Sequence, residues 1–157
     1  MIDRKKSVSV IGLGYIGLPT AALLASKGYM VKGMDISEHA VETINKGEIH
    51  IVEPDLDAYV RSAVANGKLK TYSEVQAGDI YSVCVPTPFH ADSELPKPNV
   101  NYVREAVQSI SPHVKGGDIV ILESTSPVGT TEMIREVLKK NGVDTSAIFI
   151  AYCPERV

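Results

Sequence analysis

Short apolar runs alternate along this chain with longer segments whose apolar residues recur at helical spacing. This alternation is typical of βαβ units, in which helices connect the strands of a parallel sheet. Six runs are predicted as strands: Ser7–Ile11, Met30–Asp35, Lys68–Tyr72, Ile80–Val85, Ile119–Glu123 and Ile148–Tyr152. Five segments are predicted as helices: Tyr15–Lys27, Glu38–Lys46, Pro54–Asn66, Val100–Ile110 and Thr131–Lys140. The pattern predicts an α/β fold with a doubly wound, mostly parallel six-stranded sheet in one domain over residues 1–157.

Glycines and prolines mark the ends of several of these elements. Gly28 and Gly47 follow predicted helices at positions where a left-handed residue is favoured. The segment Pro86–Pro98 holds four prolines among mostly polar residues. It is therefore predicted as an irregular loop after the fourth strand.

A glycine-rich sequence, GLGYIG, joins the first predicted strand to the first predicted helix. In such a motif Gly12 permits a tight turn, Gly14 lets the backbone approach a pyrophosphate, and Gly17 lets the helix pack closely on the strand. The helix N-terminus offers unpaired N–H groups and a favourable dipole to the anion. Because a strand and a helix are predicted on either side, the motif indicates a Rossmann-type dinucleotide-binding site.

Asp35 ends the second predicted strand, 18 residues after Gly17. The dinucleotide-binding fingerprint has an acid at about this distance, which binds the ribose hydroxyls. A carboxylate there accepts hydrogen bonds from NAD and repels the additional phosphate of NADP. The following residues, ISEH, contain no compensating arginine. The cofactor is therefore predicted to be NAD, and the alternative is a glycine-rich turn followed by a solvated aspartate.

Polar residues also follow the fourth, fifth and sixth predicted strands. They are Thr87 in VPTP, Ser124 and Thr125 in ESTSPVGTT, and Glu155 in CPERV. Ligands of open α/β sheets bind at the carboxyl ends of the strands, so these residues are candidates for one shared site. Taken singly, Thr87 also fits a turn residue, Thr125 a locally bonded hydroxyl and Glu155 a surface charge.

Charge and hydropathy narrow the classes of partner. The net charge is −3 and no long basic run occurs, which argues against a nucleic-acid partner, because phosphate backbones require a concentrated positive face. The longest apolar stretches have five to seven residues, too few to cross a bilayer, and the first ten residues lack the apolar core of a signal peptide. A cytoplasmic protein with no membrane or nucleic-acid partner is therefore expected.

The two cysteines, Cys84 and Cys153, are far apart and neither belongs to a CxxC pair. A metal site is therefore not predicted. Both lie in or beside apolar runs, and both are interpreted as small buried hydrophobic residues.

With these motifs in place, the chain resembles the N-terminal NAD-binding domain of the UDP-glucose/GDP-mannose dehydrogenase family. The resemblance covers nearly the whole chain and depends on VIGLGYIGLPTA, INKGEIHIVEPDL, VPTPF, ILESTSPVGTT and IAYCPERV. It implies that the full-length protein oxidises the C6 alcohol of a UDP-sugar to a carboxylate and reduces two molecules of NAD in turn. The branch that it resembles most acts on UDP-N-acetylmannosamine. The resemblance also implies a homo-oligomeric full-length protein.

Several residues match family positions that have assigned roles. By this resemblance, the cofactor-contacting positions beyond the glycines are Tyr15, Ile16, Asp35, Thr87 and Thr125. Thr125 also matches a threonine that helps to place the hydrolytic water, and Glu155 matches the glutamate assigned to acid/base work in thioester hydrolysis. Arg156 and Val157 fall at the start of the substrate-contacting segment.

The chain departs from the family pattern at three points. Ala40 stands near a position where family members often carry an arginine that contacts the cofactor. Arg156 stands where UDP-glucose enzymes typically carry an aromatic residue, which favours the N-acetylmannosamine branch. The nucleophilic cysteine and the lysine of the family belong to central and C-terminal regions that these residues do not include.

Three functions remain open from the sequence. The first is the cofactor domain of a UDP-N-acetylmannosamine dehydrogenase, which binds NAD but by itself oxidises no sugar nucleotide. The second is a dehydrogenase acting on UDP-glucose, GDP-mannose or another nucleotide sugar. The third is a free-standing NAD-binding module or redox sensor, although no DNA-binding or partner element is visible.

Overall fold

A computed structural model of the chain describes residues 6–90 and 97–154. The strands in these residues are β1 (Ser7–Ile11), β2 (Met30–Met34), β3 (Leu69–Tyr72), β4 (Ile80–Val83), β5 (Ile119–Leu122) and β6 (Phe149–Tyr152). The helices are α1 (Gly17–Ser26), α2 (Glu38–Asn45), α3 (Leu56–Ala65), α4 (Asn101–Ile110) and α5 (Thr130–Lys140). Every predicted element is present, and no observed end differs from the predicted end by more than two residues.

The six strands form one sheet in the order β3-β2-β1-β4-β5-β6. All five pairings between neighbouring strands are parallel. The chain moves outward from β1 to β3, then returns to the centre and moves outward again from β4 to β6. The predicted doubly wound sheet is therefore confirmed. Reversal of the strand order between β1 and β4 opens a crevice at their carboxyl ends, where ligands of this fold bind.

Helices cover both faces of the sheet and bury two apolar clusters. The cluster on one face includes Leu18 from α1 and Val60 from α3, which pack on Val10 of β1. The cluster on the other face includes Val107 from α4 and Ile134 from α5. Burial of both faces is the usual arrangement of an all-parallel sheet, and it explains why β5 is a continuous apolar run.

The differences at element ends have local causes. Helix α1 begins at Gly17 rather than Tyr15, because Tyr15 and Ile16 belong to the turn that follows β1. Helix α3 begins at Leu56 after Asp55, whose φ of 61° is left-handed and cannot continue a helix from Pro54. Asp35 and Glu123 lie one residue beyond their strands, where each side chain accepts hydrogen bonds from neighbouring segments.

The predicted loop Pro86–Pro98 has paired ends where the structure describes it. Phe89 and Pro98 form an isolated antiparallel bridge. The N–H of His90 donates to the carbonyl of Lys97 at 2.9 Å. Residues 91–96 lie outside the described part.

The cysteine prediction is half correct. Cys84 is buried, as expected, but Cys153 is exposed. Cys153 follows β6, the last strand of the sheet, and most side chains of that strand are exposed. Apolar character in the sequence therefore gave the wrong prediction at the sheet border. In the described residues no group of His, Cys, Asp and Glu side chains is arranged to hold a metal ion.

The helices of residues 6–90 and 97–154 are short. The longest of them, α5, has 11 residues, and none has the length and apolar character needed to cross a bilayer.

Candidate functional site

A cavity of about 750 Å³ lies at the carboxyl ends of the central strands. Its walls come from the residues that follow β1, β2, β4 and β5 and from one face of α4. The predicted site residues that line it are Gly12, Gly14, Tyr15, Ile16, Asp35, Thr87, Ser124 and Thr125. The fold therefore brings together residues that span more than a hundred positions of the sequence. Its volume is in the range of small-molecule and cofactor sites.

The glycine turn is built so closely that two of its glycines admit no side chain. A Cβ on Gly17 would stand 1.8 Å from the carbonyl oxygen of Gly12. Gly12 has a φ of 88°, and a Cβ there would stand 2.8 Å from the carbonyl oxygen of Cys84. A Cβ on Gly14 would meet no protein atom within 4 Å, because this glycine faces the cavity.

The turn presents backbone donors to the cavity. No side chain caps the N-terminus of α1. Within the described residues, no hydrogen bond is recorded from the N–H groups of Gly14, Tyr15 or Ile16. Unpaired amides at a helix N-terminus, together with the helix dipole, favour an anion such as a diphosphate. Unpaired amides at this position are what the glycine motif predicts for a pyrophosphate site.

Asp35 connects the end of β2 to the glycine turn. One carboxylate oxygen accepts from the N–H of Leu13 at 2.8 Å, and the other accepts from the N–H of Ser37 at 2.9 Å. A carboxylate has about four acceptor sites, so about two remain for a ligand. The side chain lines the cavity and is half-buried. Asp35 therefore holds the turn in place and offers acceptors to ligand hydroxyls.

The loops after β4 and β5 are joined by side-chain hydroxyls. Thr87 donates to the carbonyl of Thr125 at 2.7 Å. Ser124 is buried and donates to the carbonyl of Val85 at 2.6 Å. The hydroxyl of Thr125 is exposed and bonds no other described residue. Thr125 is consequently the hydroxyl of this group that remains available to a ligand.

A polar network beneath the glycine turn was not predicted. Glu123 follows β5, accepts from the hydroxyl of Thr20 in α1 at 3.0 Å and also accepts from the hydroxyl of Ser82 in β4. It thereby links three elements below the site. The sequence signal was weak, because only the folded sheet brings residues 20, 82 and 123 together.

Cys84 lines the cavity and lies beside this network. Burial raises the pKa of its thiol far above the ordinary value, and the nearby Glu123 raises it further. The thiol therefore stays protonated at neutral pH and is unsuited to nucleophilic attack. Its interpretation as a small buried residue agrees with this environment.

The α4 wall of the cavity was also missed. Tyr102, Glu105, Ala106 and Ser109 all line it. Their spacing of three, four and seven residues places them on one face of the helix. The adjoining face of α4, with Val103, Val107 and Ile110, is buried in the core. The neighbouring mixed face gave a usable signal, since it combines an aromatic, an acidic and two small residues.

The predicted catalytic and substrate-contacting residues Glu155, Arg156 and Val157 lie outside the described residues. Strand β6, which precedes them in the sequence, ends at Tyr152 beside the site. The Tyr152 hydroxyl accepts from the N–H of Ser126 at 3.1 Å. This contact fixes the end of β6 against the loop that carries Thr125.

Several known proteins are similar to this chain in sequence and in fold. UDP-N-acetyl-D-mannosamine dehydrogenase of Yersinia pestis is 52% identical over 161 residues, which cover 97% of this chain and 38% of that protein. NDP-N-acetyl-D-galactosaminuronic acid dehydrogenase of Ralstonia nicotianae is 48% identical and is covered to 37% of its length. The solved UDP-N-acetyl-mannosamine dehydrogenase Cap5O of Staphylococcus aureus matches with a TM-score of 0.89 and 35% identity, over 96% of this chain and 37% of that chain.

The chain thus spans about two fifths of the length of these relatives. A sequence model described as the NAD binding domain of the UDP-glucose/GDP-mannose dehydrogenase family matches residues 6–157. The match includes the glycine turn, Asp35 and both threonine loops. The chain belongs to the UDP-glucose/GDP-mannose dehydrogenase family and carries its NAD-binding domain.

Proposed function

We propose that NAD binds along the carboxyl edge of the sheet and that this chain is the cofactor domain of a nucleotide-sugar 6-dehydrogenase. The observation that carries the proposal is the cavity shared by the glycine turn, Asp35 and Thr125. The unpaired amides of Gly14 to Ile16 fit the diphosphate, and the remaining acceptor sites of Asp35 fit the adenosine ribose. Gly12 and Gly17 keep this cradle free of side chains.

The charges around the cavity favour NAD over NADP. Two carboxylates, Asp35 and Glu105, line it, and no lysine or arginine of the described residues does. A 2′-phosphate on the adenosine ribose would meet negative charge without a cationic partner. Ala40, which is buried, stands near the position where family members often carry a cofactor-contacting arginine.

Bound NAD supplies the acceptor for a hydride from the sugar alcohol. The residues of this chain hold and orient the dinucleotide, and Thr87 and Thr125 contribute the far wall between β4 and β5. We assign Thr125 and Glu155 to catalysis, and Arg156 and Val157 to substrate contact, on the family resemblance. Thr125 has the exposed hydroxyl that such a role requires.

The proposed substrate of the longer protein is UDP-N-acetylmannosamine, since a relative named for it is 52% identical over nearly the whole chain. The relative named for an N-acetylgalactosamine-derived product is 48% identical, so its substrate belongs in the same test. The uronate product would serve polysaccharide biosynthesis. A cytoplasmic location, where NAD and nucleotide sugars occur, and a homo-oligomeric full-length protein complete the proposal.

The test begins with calorimetric titration of residues 1–157 with NAD, NADP and UDP-N-acetylmannosamine. We expect NAD to bind at least about tenfold more tightly than NADP, which corresponds to about 1.4 kcal/mol. The longer protein is then given UDP-N-acetylmannosamine, UDP-N-acetylgalactosamine, UDP-glucose and GDP-mannose. Formation of two NADH per UDP-N-acetylmannosamine is expected, whereas residues 1–157 alone should form none. Absence of NAD binding, or NADH formation by residues 1–157 alone, would refute the proposal.

A further inference from the structure

The α4 wall of the cavity combines a flat aromatic ring with a carboxylate. Tyr102 is 44% exposed, and Glu105 lies one helical turn further along the same face. Ala106 and Ser109 complete the face with small side chains. The hydroxyl of Ser109 donates to the carbonyl of Ala106 at 2.7 Å within the helix. Glu105 is therefore the ionised, acceptor-only group of this wall, whereas the Tyr102 hydroxyl can both donate and accept.

Glu105 has no partner in the described part of the chain. No hydrogen bond or ion pair is recorded for its carboxylate. The side chain is exposed, and no cationic side chain lines the cavity that it faces. An ionised carboxylate only accepts hydrogen bonds. A ligand in this cavity can pair with Glu105 only by presenting a donor.

The α4 wall adjoins the end of β2, which carries Asp35. Ala106 of α4 belongs to the buried cluster against which Met34 packs, and Met34 directly precedes Asp35. Ile36, which directly follows Asp35, is 86% exposed and lines the same cavity. Ile36 and Tyr102 give this cavity an aliphatic and an aromatic surface, which suit a flat heterocycle.

We propose that the α4 wall holds the adenine base and that Glu105 accepts a hydrogen bond from its exocyclic amine, so that Glu105 selects the base. This inference rests on the proposed placement of NAD, with its ribose at Asp35 and its diphosphate at the glycine turn. The base then extends from the ribose on the side away from the diphosphate, toward Ile36 and α4. The exocyclic amine is the one N–H donor group of the adenine ring, and it matches an acceptor-only side chain.

Hypoxanthine is the matched probe for this contact. It has the shape of adenine but carries a carbonyl oxygen in place of the amine, and that oxygen would face the carboxylate with its lone pairs. Once the bound base covers the exposed Glu105 carboxylate, an analogue that lacks this donor leaves the carboxylate without a partner and binds less tightly. Hypoxanthine has an N–H on the neighbouring ring nitrogen, but using it leaves the carbonyl oxygen beside the carboxylate.

The experiment compares NAD with nicotinamide hypoxanthine dinucleotide by calorimetric titration of residues 1–157. We expect wild-type protein to bind NAD about tenfold more tightly, the effect of one hydrogen bond to a charged group at a partly exposed site. In the Glu105→Gln variant the ratio should fall to about one, because an amide can accept from the amine or donate to the carbonyl. Glu105→Ala should also lose the preference, through weaker binding of NAD relative to the analogue.

The ratio of the two affinities separates base recognition from general electrostatics. Loss of one negative charge raises the affinity of both dinucleotides together and leaves their ratio unchanged. Glu136→Gln is the matched control, since Glu136 is exposed on α5 and lies outside the cavity lining. This control should keep the tenfold preference, and thermal unfolding of each variant checks the fold.

The outcomes distinguish this inference from the proposal on which it rests. Tight NAD binding with equal affinity for the hypoxanthine analogue, or with a preference that survives Glu105→Gln, would overturn the role of Glu105 and leave the NAD site intact. Failure of the wild-type protein to bind NAD would overturn both. A preference lost in both Glu105 variants and kept in the Glu136 control supports the assignment.

Discussion

The two edges of the sheet differ in how completely their polar groups are paired. At the amino ends of the strands, Asp79 accepts from both the N–H and the hydroxyl of Ser7, at 2.8 and 3.0 Å. The Tyr81 hydroxyl accepts from the N–H of Gly78 and donates to the carbonyl of His113. Asp118 accepts from the N–H of Lys115 at 2.9 Å. Each of these polar side chains therefore has a hydrogen-bond partner inside the protein.

At the carboxyl ends, donors and acceptors remain open. The amides of Gly14 to Ile16, the Thr125 hydroxyl and the Glu105 carboxylate bond no other described residue. Because these groups line one cavity, they can pair with a ligand that enters it. The amino edge stabilises the fold, and the carboxyl edge is arranged for binding. Four substitutions test this difference.

Replacement of Gly17 by alanine should have the largest effect. The new Cβ would stand 1.8 Å from the carbonyl oxygen of Gly12, so α1 must move away from β1. We expect the free energy of unfolding to fall by about 1–3 kcal/mol. NAD affinity should fall by about 100-fold, or about 2.8 kcal/mol, because the displaced helix N-terminus no longer directs its amides at the diphosphate. Chemical denaturation and calorimetry measure the two.

Gly116→Ala is the control for Gly17→Ala. A Cβ at Gly116 would make an ordinary contact with Ala147 at 3.4 Å. This variant should bind NAD as the wild type does. Equal NAD affinity in the Gly17 variant would contradict the close packing of the turn.

At the opposite edge, Tyr81→Phe should lower stability without affecting the cofactor. Tyr81 is fully buried, and loss of its hydroxyl removes two hydrogen bonds and leaves the Gly78 N–H without its partner. We expect the free energy of unfolding to fall by about 2 kcal/mol. NAD affinity, measured where both proteins are folded, should stay within about twofold. A loss of affinity well beyond this would show that the two edges are coupled.

Asp35→Asn should weaken binding and lower the free energy of unfolding by about 1 kcal/mol, because one of the two N–H groups that donate to Asp35 loses its acceptor. The asparagine side chain keeps one acceptor oxygen for the turn but loses the negative charge. We expect NAD affinity to fall by about tenfold and the preference for NAD over NADP to narrow by at least as much. Calorimetric titration with both dinucleotides gives the ratio. An unchanged ratio would mean that Asp35 does not face the adenosine ribose.

The smallest effect is expected from Asp79→Asn and concerns pH. The hydrogen bonds from Ser7 hold the pKa of Asp79 below its ordinary value of 3.8. They therefore stabilise the folded state above that pH, and the contribution is lost as the pH falls through the lowered pKa. The free energy of unfolding of the variant should fall less steeply than that of the wild type as the pH is lowered. Urea unfolding between about pH 2 and pH 6 measures this. An unchanged acid profile would contradict this role.

Asp118 responds to pH in the opposite direction. Burial raises its pKa, although the N–H of Lys115 partly offsets this. Its ionised form therefore costs stability at neutral pH, and protonation restores stability as the pH falls through the raised pKa. Asp118→Asn is accordingly a useful comparison, because it should steepen the loss of stability on acidification that Asp79→Asn makes shallower.

The sequence predicts the frame of the carboxyl edge well, because local patterns specify it. The glycine spacing requires the contact between Gly12 and Gly17, and the strand pattern puts Asp35 and Thr125 at one edge. Asp35 and Thr125 lie at the same edge because all the strands of the sheet are parallel. These features needed no knowledge of side-chain packing.

The remainder of the site depends on tertiary contacts. Helical spacing identifies the core face of α4 but does not show that its neighbouring face, with Tyr102 and Glu105, borders the cavity. Glu123 meets Thr20 and Ser82 only when three elements are assembled. The exposure of Cys153 follows from the edge position of β6, which apolar character does not encode.

A backbone amide NMR titration of residues 1–157 with NAD tests most directly whether the carboxyl edge is the binding edge. We predict that the signals of Gly14, Tyr15 and Ile16 shift with a common binding constant, while those of Ser7, Asp79 and Asp118 stay unchanged. Shifts concentrated at the amino edge, or NAD binding that leaves the glycine turn unperturbed, would contradict it.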